Sequence, residues 1–345
     1  AAGDGTAGAA AGGPSAGGAA GDGTAGAAAG GPTAGGDGPT TVEEAVTEPL
    51  VASVGTRFAV PGVAGGDPVQ GRVVLGQNEL LLVTPADADR LDGDAAYALV
   101  ELDAMVDVVP DAEPDGASMG STVGVAWRGP DGTEVAAVEL EGARKRDFRM
   151  ALFRNALHVS RMDVTHPAQV GGRVTDESAT PGMLYLDCAR VRFTPIGSDA
   201  TMVAIALDEV LHVERTRQRV GDGRQPALAI QQFDEDRAVT TVVGSDSVRT
   251  LSLFERFVRR DYRERLREAR SLSIPDREKE VLVALYSAGA GVDLTDVFAR
   301  AEGELRELVE SLRSKGLVTA DDLSNTRLTA KGRLVVSDRL DEINE

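Results

Sequence analysis

Arg144, Lys145, Arg146, Arg149 and Arg154 lie within eleven residues, and Arg256, Arg259, Arg260, Arg263, Arg265, Arg267 and Arg270 within fifteen, in a chain of net charge −19. A guanidinium is a planar fork of donors that grips carboxylate or phosphate oxygens two at a time, and the contact works at short range even where salt screens distant charge. In the second stretch only Asp261, Glu264 and Glu268 oppose the seven arginines. The chemistry these stretches offer is docking of an acidic partner, with Arg144, Arg146, Arg149, Arg256, Arg259, Arg260 and Arg263 as the candidate contacts. The competing use is local: the same arginines pair with neighbouring carboxylates and pin down a charged surface. A third use, binding phosphoinositide headgroups at a membrane, is disfavoured because the cations sit on helical stretches and not in a loop between early strands.

Reactive constellations are missing. The sequence has no Gly-rich phosphate loop followed by Lys-Ser/Thr, no His-Glu-x-x-His and no Gly-x-Ser-x-Gly between a strand and a helix. Gly120-Ser121-Thr122 and Gly197-Ser198-Asp199 sit in turn contexts. Asp103/Asp107 and Asp208/Glu209 read as solvated carboxylates of an acidic chain. Cys188 is the single cysteine, which excludes an intrachain disulfide and a cysteine metal cluster, and His158, His166 and His212 are scattered without ligand spacing. The expectation is a protein that is not an enzyme and uses no cofactor or metal.

The elements that must position the arginines repeat. Residues 69–157 and 170–261 each open on a Gly-Arg-Val step, Gly71-Arg72-Val73 and Gly172-Arg173-Val174, 101 residues apart. Each has a short apolar strand, 80–83 and 191–193, and then a matching run in which Leu102-Asp103 answers Leu207-Asp208, 105 residues on. Strands are expected at 51–60, 69–74, 80–83, 97–102, 105–109, 123–127 and 135–140, with Gly129-Pro130-Asp131-Gly132 as a hairpin turn. In the second copy Gly221-Asp222-Gly223 marks the matching hairpin, with strands at 227–231 and 240–243. Phe148, Leu152 and Ala156 give a helix over 145–157 its apolar stripe; Leu251, Phe254, Val258, Tyr262 and Leu266 do the same from about Ser247. Seven strands closed by one helix is the order of a pleckstrin-homology-like module. The fold class is therefore α+β multidomain: two tandem pleckstrin-homology-like β modules, each closed by a helix, over 49–160 and 161–271, then a C-terminal winged helix-turn-helix over 272–345.

That last part carries Val281, Leu282 and Leu285 on a helix begun by Pro275-Asp276, a second helix capped by Asp293, and a third over 303–315 stopped by Gly316. A hairpin around 321–325 and a final helix capped by Thr329 complete it. A winged helix suggests DNA, and a transcriptional regulator is the alternative function. Charge argues against nucleic acid: Glu302, Glu304, Glu307 and Glu310 face only Arg306, Arg313 and Lys315 on the third helix, and duplex affinity needs phosphates neutralised.

Residues 1–36 are two copies of an 18-residue Gly/Ala unit differing only at Ser15 and Thr33. With no large apolar side chain they cannot offset the entropy of ordering, about 1–2 kcal/mol per residue, so 1–48 reads as a disordered tail. Lysines number four against 32 arginines. An acidic, lysine-poor surface suits near-saturated salt, where charge repulsion is screened within about 3 Å; GC-rich codon bias is the other source of such a composition. No apolar run reaches the roughly 20 residues of a membrane span, and no charged-then-apolar leader opens the sequence. The expectation is a soluble cytoplasmic protein with no membrane insertion.

Six phrases, in order, resemble the archaeal taxis protein CheF family in a haloarchaeal form: Pro68 to Leu75, Leu152-Phe153-Arg154-Asn155-Ala156-Leu157, Val170-Gly171-Gly172-Arg173-Val174, Ser252-Leu253-Phe254-Glu255-Arg256-Phe257, Glu278 to Ser287, and Leu328-Thr329-Ala330-Lys331-Gly332-Arg333. The resemblance covers about residues 50–345. It implies a chemotaxis adaptor that couples a phosphorylated CheY-type response regulator, with CheC- and CheD-type proteins, to the accessory proteins of the archaellum motor switch. It does not say which residues touch the regulator.

Overall fold

The structure, a computed structural model, describes residues 28–30, 41, 46, 50–85, 91, 95–112, 119–130, 132–220, 223–234, 237–288, 293–298, 301–320 and 322–344. It is a mixed α+β chain built on two large antiparallel sheets, each covered by a helix, with a smaller helical unit after them.

A short strand, β1 (Ala28–Gly30), pairs with the edge of the first sheet. Most of the rest of the 1–48 tail lies outside the described residues. β2 (Ala52–Ala59), β3 (Val69–Leu75), β4 (Glu79–Thr84) and β5 (Ala96–Glu101) form one meander, and β6 (Met105–Pro110), β7 (Thr122–Gly129) and β8 (Gly132–Glu139) form another. Pairing of Phe58 with Val138 joins the two meanders along β2 and β8. The continuous apolar run in β4 has a simple cause, since it is covered on both faces. Leu80 and Leu82 enter the main core, while Leu81 and Val83 meet Val46, Val74 and Leu91 on the other side. The Gly129-to-Gly132 turn closes β7 on β8 as expected. α1 (Gly142–Leu157) then covers the core with Phe148, Leu152, Phe153 and Leu157.

The second unit repeats this as β9 (Arg161–Val170), a two-residue β10 (Arg173–Val174), β11 (Thr180–Leu186), β12 (Arg190–Pro195), β13 (Val203–Ala206), β14 (Val210–Val220), β15 (Gly223–Asp234), β16 (Arg237–Gly244) and α2 (Val248–Ser271). Strand register makes the equivalence exact to the residue. Leu80 pairs with Val100 as Val191 pairs with Ile205, so the Leu102-Asp103 and Leu207-Asp208 match holds. Both copies carry an irregularity at the same place, between Met105 and Asp107 and between Val210 and His212.

The Gly-Arg-Val match does not hold. Gly172-Arg173-Val174 forms the turn and the small β10 that folds back on β9, and nothing in the first unit corresponds to it. The counterpart of Gly71 is Gly182. Arg72 pairs with Val83 and Met183 with Thr194, and a Cβ on either glycine would press on the neighbouring strand, at Gly182 to 3.0 Å from the Thr194 carbonyl oxygen. Glycine is needed at both places for close approach of strands, a three-dimensional requirement that the Gly-Arg-Val spelling imitates by chance.

The two units share one apolar core. Phe153 of α1 meets Phe257 of α2 edge-on, with ring centroids 5.4 Å apart. Arg249, at the start of α2, reaches into the first unit and donates to the carbonyls of Met105 (2.7 Å) and Leu102.

After α2 come α3 (Asp276–Ala288), α4 (Leu294–Val297), α5 (Glu302–Ser314), the hairpin β17 (Val318–Ala320) and β18 (Thr326–Leu328), and α6 (Ala330–Asn344). The caps fall where the sequence puts them: Asp293 accepts from the Thr295 amide at 2.9 Å, Thr329 from the Gly332 amide at 3.0 Å, and Gly316 takes a φ of 70° past α5. This unit docks on the far end of α2. Tyr262 and Leu266 pack against its core, Arg270 grips Asp338 of α6 with both arms of its fork, and Arg333 stacks 3.8 Å over the Phe233 ring. Among the described residues no helix is long and apolar enough to cross a membrane.

Candidate docking cleft

α2 turns Leu251, Phe254 and Val258 into the core, which leaves Arg256, Arg259, Arg260, Arg263 and Arg267 on the opposite side of the helix, one to two turns apart. α1 does the same with Lys145, Arg146 and Arg149. Because the two helices lie side by side at the seam between the units, their cationic faces meet across a cleft of about 930 Å³. Arg215 joins from β14. Nine cations line the cleft against three carboxylates, Asp111, Glu255 and Glu264, so an acidic chain gathers a local excess of positive charge in one concavity.

Part of that charge is held by local pairs. Lys145 binds Asp111 and donates to the Ser121 hydroxyl at 2.8 Å. Arg256 lies 2.8 Å from Asp107. Glu255, nearly buried, anchors both Arg259 (2.8 Å) and Arg215; that hydrogen-bonded carboxylate holds the Arg215 guanidinium above its ordinary pKa. Burial pushes the Asp107 carboxyl upward, and the nearby Arg256 opposes that rise.

Arg149, Arg260, Arg263 and Arg267 make no ion pair among the described residues. Arg149 is half-buried, and desolvation lowers its pKa from the ordinary guanidinium value, offset in part by Glu264 and Asp111. A partly desolvated cation with no carboxylate within ion-pair distance can still take up an anion.

Of the seven arginines singled out by sequence, six line this cleft: Arg146, Arg149, Arg256, Arg259, Arg260 and Arg263. Arg144 does not. It faces a separate surface hollow shared with Arg57 and Glu139. Arg215 is the member that sequence reasoning missed, because it comes from a strand 40 residues before its partner Glu255 and lies outside both arginine-rich helical stretches. Two arginines of the second stretch serve structure. Arg265 donates to the carbonyls of Asp208 (2.9 Å) and Val210 (3.0 Å), and Arg270 holds α6.

Among the described residues the cleft is lined by nine cations and three carboxylates, an arrangement suited to an anion. Among the described residues no group of three or more His, Cys, Asp and Glu stands ready for a metal ion. On α5, by contrast, each arginine is matched: Arg306 with Glu302 at 2.6 Å and Arg313 with Glu310 at 3.6 Å.

A repeated sheet unit with a cationic seam and a third docked unit describes a multi-unit protein whose conspicuous surface feature is a cationic cleft. The particular family follows from comparison. The family model described as archaeal chemotaxis signal transduction system protein F matches residues 50–264, and the chain belongs to that family. It is 27% identical over 301 residues to Taxis protein CheF2 of Halobacterium salinarum, covering 87% of this chain and all of that protein. It is 26% identical over 208 residues to Taxis protein CheF1 of the same organism, covering 58% of this chain and 68% of the other. Its role therefore lies in archaeal chemotaxis signalling.

Proposed function

We propose that the protein is a cytoplasmic, non-enzymatic adaptor that couples a phosphorylated CheY-type response regulator, together with CheC- and CheD-type proteins, to the accessory proteins of the archaellum motor switch. In this reading the two sheet units are pleckstrin-homology-like modules with boundaries near 49–160 and 161–271. The last unit is a winged helix used for protein contacts. The observation that carries the docking half of the reading is the cationic cleft: it gathers six of the seven candidate arginines, and four of its cations stand without an ion pair. An acidic partner supplies the missing carboxylates. The adaptor acts by preferring one conformer of the regulator, and that difference in affinity is what shifts the motor equilibrium. The paired arginines of α5 give a DNA duplex little to hold.

The test is binding of the purified chain to its cognate CheY-type regulator in concentrated KCl, with and without beryllofluoride. The activated regulator is expected to bind at least about tenfold more tightly, a difference of about 1.4 kcal/mol. Absence of binding in both states would sink the adaptor reading. Arg260→Glu with Arg263→Glu is the informative pair of substitutions, since neither residue anchors a carboxylate; regulator affinity unchanged in that variant removes the cleft from the interface.

A further inference from the structure

The cleft has properties that docking of a folded partner does not need. Among the described residues Val108 is its one apolar side chain, and no aromatic ring lines it. Small-molecule pockets that read a base or a hydrocarbon are walled largely by apolar and aromatic groups, and single-stranded nucleic acid is held by rings on which its bases stack. Neither kind of wall is present among the described residues. What the walls supply is guanidinium in a line. Arg256, Arg260, Arg263 and Arg267 fall at i, i+4, i+7 and i+11 on α2, a stripe about 16 Å long at the helical rise of roughly 1.5 Å per residue. Arg149, half-buried on α1, faces the same space, and it, Arg260, Arg263 and Arg267 all stand without an ion pair among the described residues. One tetrahedral anion occupies a fraction of that stripe, whereas a chain of joined phosphoryl groups runs along it and meets successive forks.

We infer that this cleft is a polyphosphate site. It takes a chain of three or more phosphoryl groups, free or as the tail of a nucleotide, on Arg149 from the first unit and Arg260, Arg263 and Arg267 from the second. The bound anion bridges the two units across their seam and neutralises cations that otherwise face one another. The inference rests on the cleft and does not require the adaptor reading; where both hold, polyphosphate competes with the acidic regulator for the same arginines.

Calorimetric titration of the full chain with inorganic tripolyphosphate and, separately, with ATP, at one fixed ionic strength in KCl, tests it. One-to-one binding is expected for both probes with affinities within a few-fold, since no wall reads the base. Arg260→Gln/Arg263→Gln is expected to lose at least tenfold in affinity, with Arg327→Gln on β18 unchanged. No saturable binding, equal binding by the cleft variant, or binding of ATP alone overturns the site. Repeating the regulator measurement with saturating tripolyphosphate separates the two readings. A chain that binds tripolyphosphate but never the regulator keeps this site and loses the adaptor; one that binds the regulator but not tripolyphosphate does the reverse.

Discussion

α1 stops at Leu157 after 16 residues, and β9 begins four residues later; α2, its counterpart, runs for 24 residues and its last turns leave the second unit behind. The sheets beneath them match in strand order, in register and in the position of one irregularity. Apart from β1 at the edge of the first sheet and β10 beside β9, the divergence lies in what the frame carries. The additional turns of α2 bring Leu266 and Arg270 to the third unit, and Arg267 to the cleft. Inside the frame the copies differ in filling: Trp127, almost fully buried, occupies the place that Gln232 takes in the second unit. A duplicated fold keeps its hydrogen-bond ladder, because a one-residue slip turns every side chain to the wrong face. It is freer to change helix length and core volume.

The largest expected effect breaks the comparison at the shared core. Phe254 is fully buried and meets Phe193 at 6.0 Å, and it lies in the same cluster as the residues of the first unit. Phe254→Ala is expected to cost about 3–5 kcal/mol and, in urea, to shift one common transition of both sheet units to lower denaturant. Two separated transitions, with the first unit unmoved, would show that the copies fold independently.

A smaller effect sharpens the role of the longer helix. Asp338→Asn leaves the half-exposed Arg270 without its carboxylate and is expected to cost about 1 kcal/mol. Hydrogen exchange is the measurement: amides of α6 exchange faster while those of β14 and β15 keep their protection. Uniform acceleration through the sheets would mean that α2 does not serve as a post for the last unit.

The smallest effect exploits a single difference between the copies. His166, half-buried and 2.9 Å from the Thr241 hydroxyl, stands two residues after Val164, where the first unit has Val60 two residues after Phe58. Burial lowers its pKa from the ordinary 6.5, with Asp234 opposing. The unfolded chain then takes up the proton first, so stability present above about pH 6.5 declines as pH falls through that value towards the folded-state pKa. His166→Gln is expected to flatten the part of the stability profile just below pH 6.5, read by denaturation midpoints across the range. A profile identical to that of the parent chain would refute this assignment.

Much of the frame was legible in the sequence. Apolar segments bounded by turn signals located β2 to β8, the Gly129-to-Gly132 turn gave its hairpin, and the apolar stripe of α2 ran from Leu251 to Leu266 as the spacing required. The Leu-Asp anchor of the repeat was sound, while the Gly-Arg-Val anchor misled because β10 is an addition peculiar to the second unit. The register that makes Gly182 the partner of Gly71 depends on strand neighbours, which a linear comparison does not contain.

For the site, composition and helical spacing alone determined that two arginine-rich helix faces exist, since 3.6 residues per turn decides which side chains share a side. Tertiary structure alone decided that those faces meet. It turned Arg144 away, recruited Arg215, and divided the arginines into those held by Asp107 and Glu255 and those left open at Arg149, Arg260, Arg263 and Arg267. The reason is that charges interact through space, an interaction that weakens with distance and strengthens as water is excluded, and partners such as Asp107 and Arg256 meet although they lie about 150 residues apart in the chain.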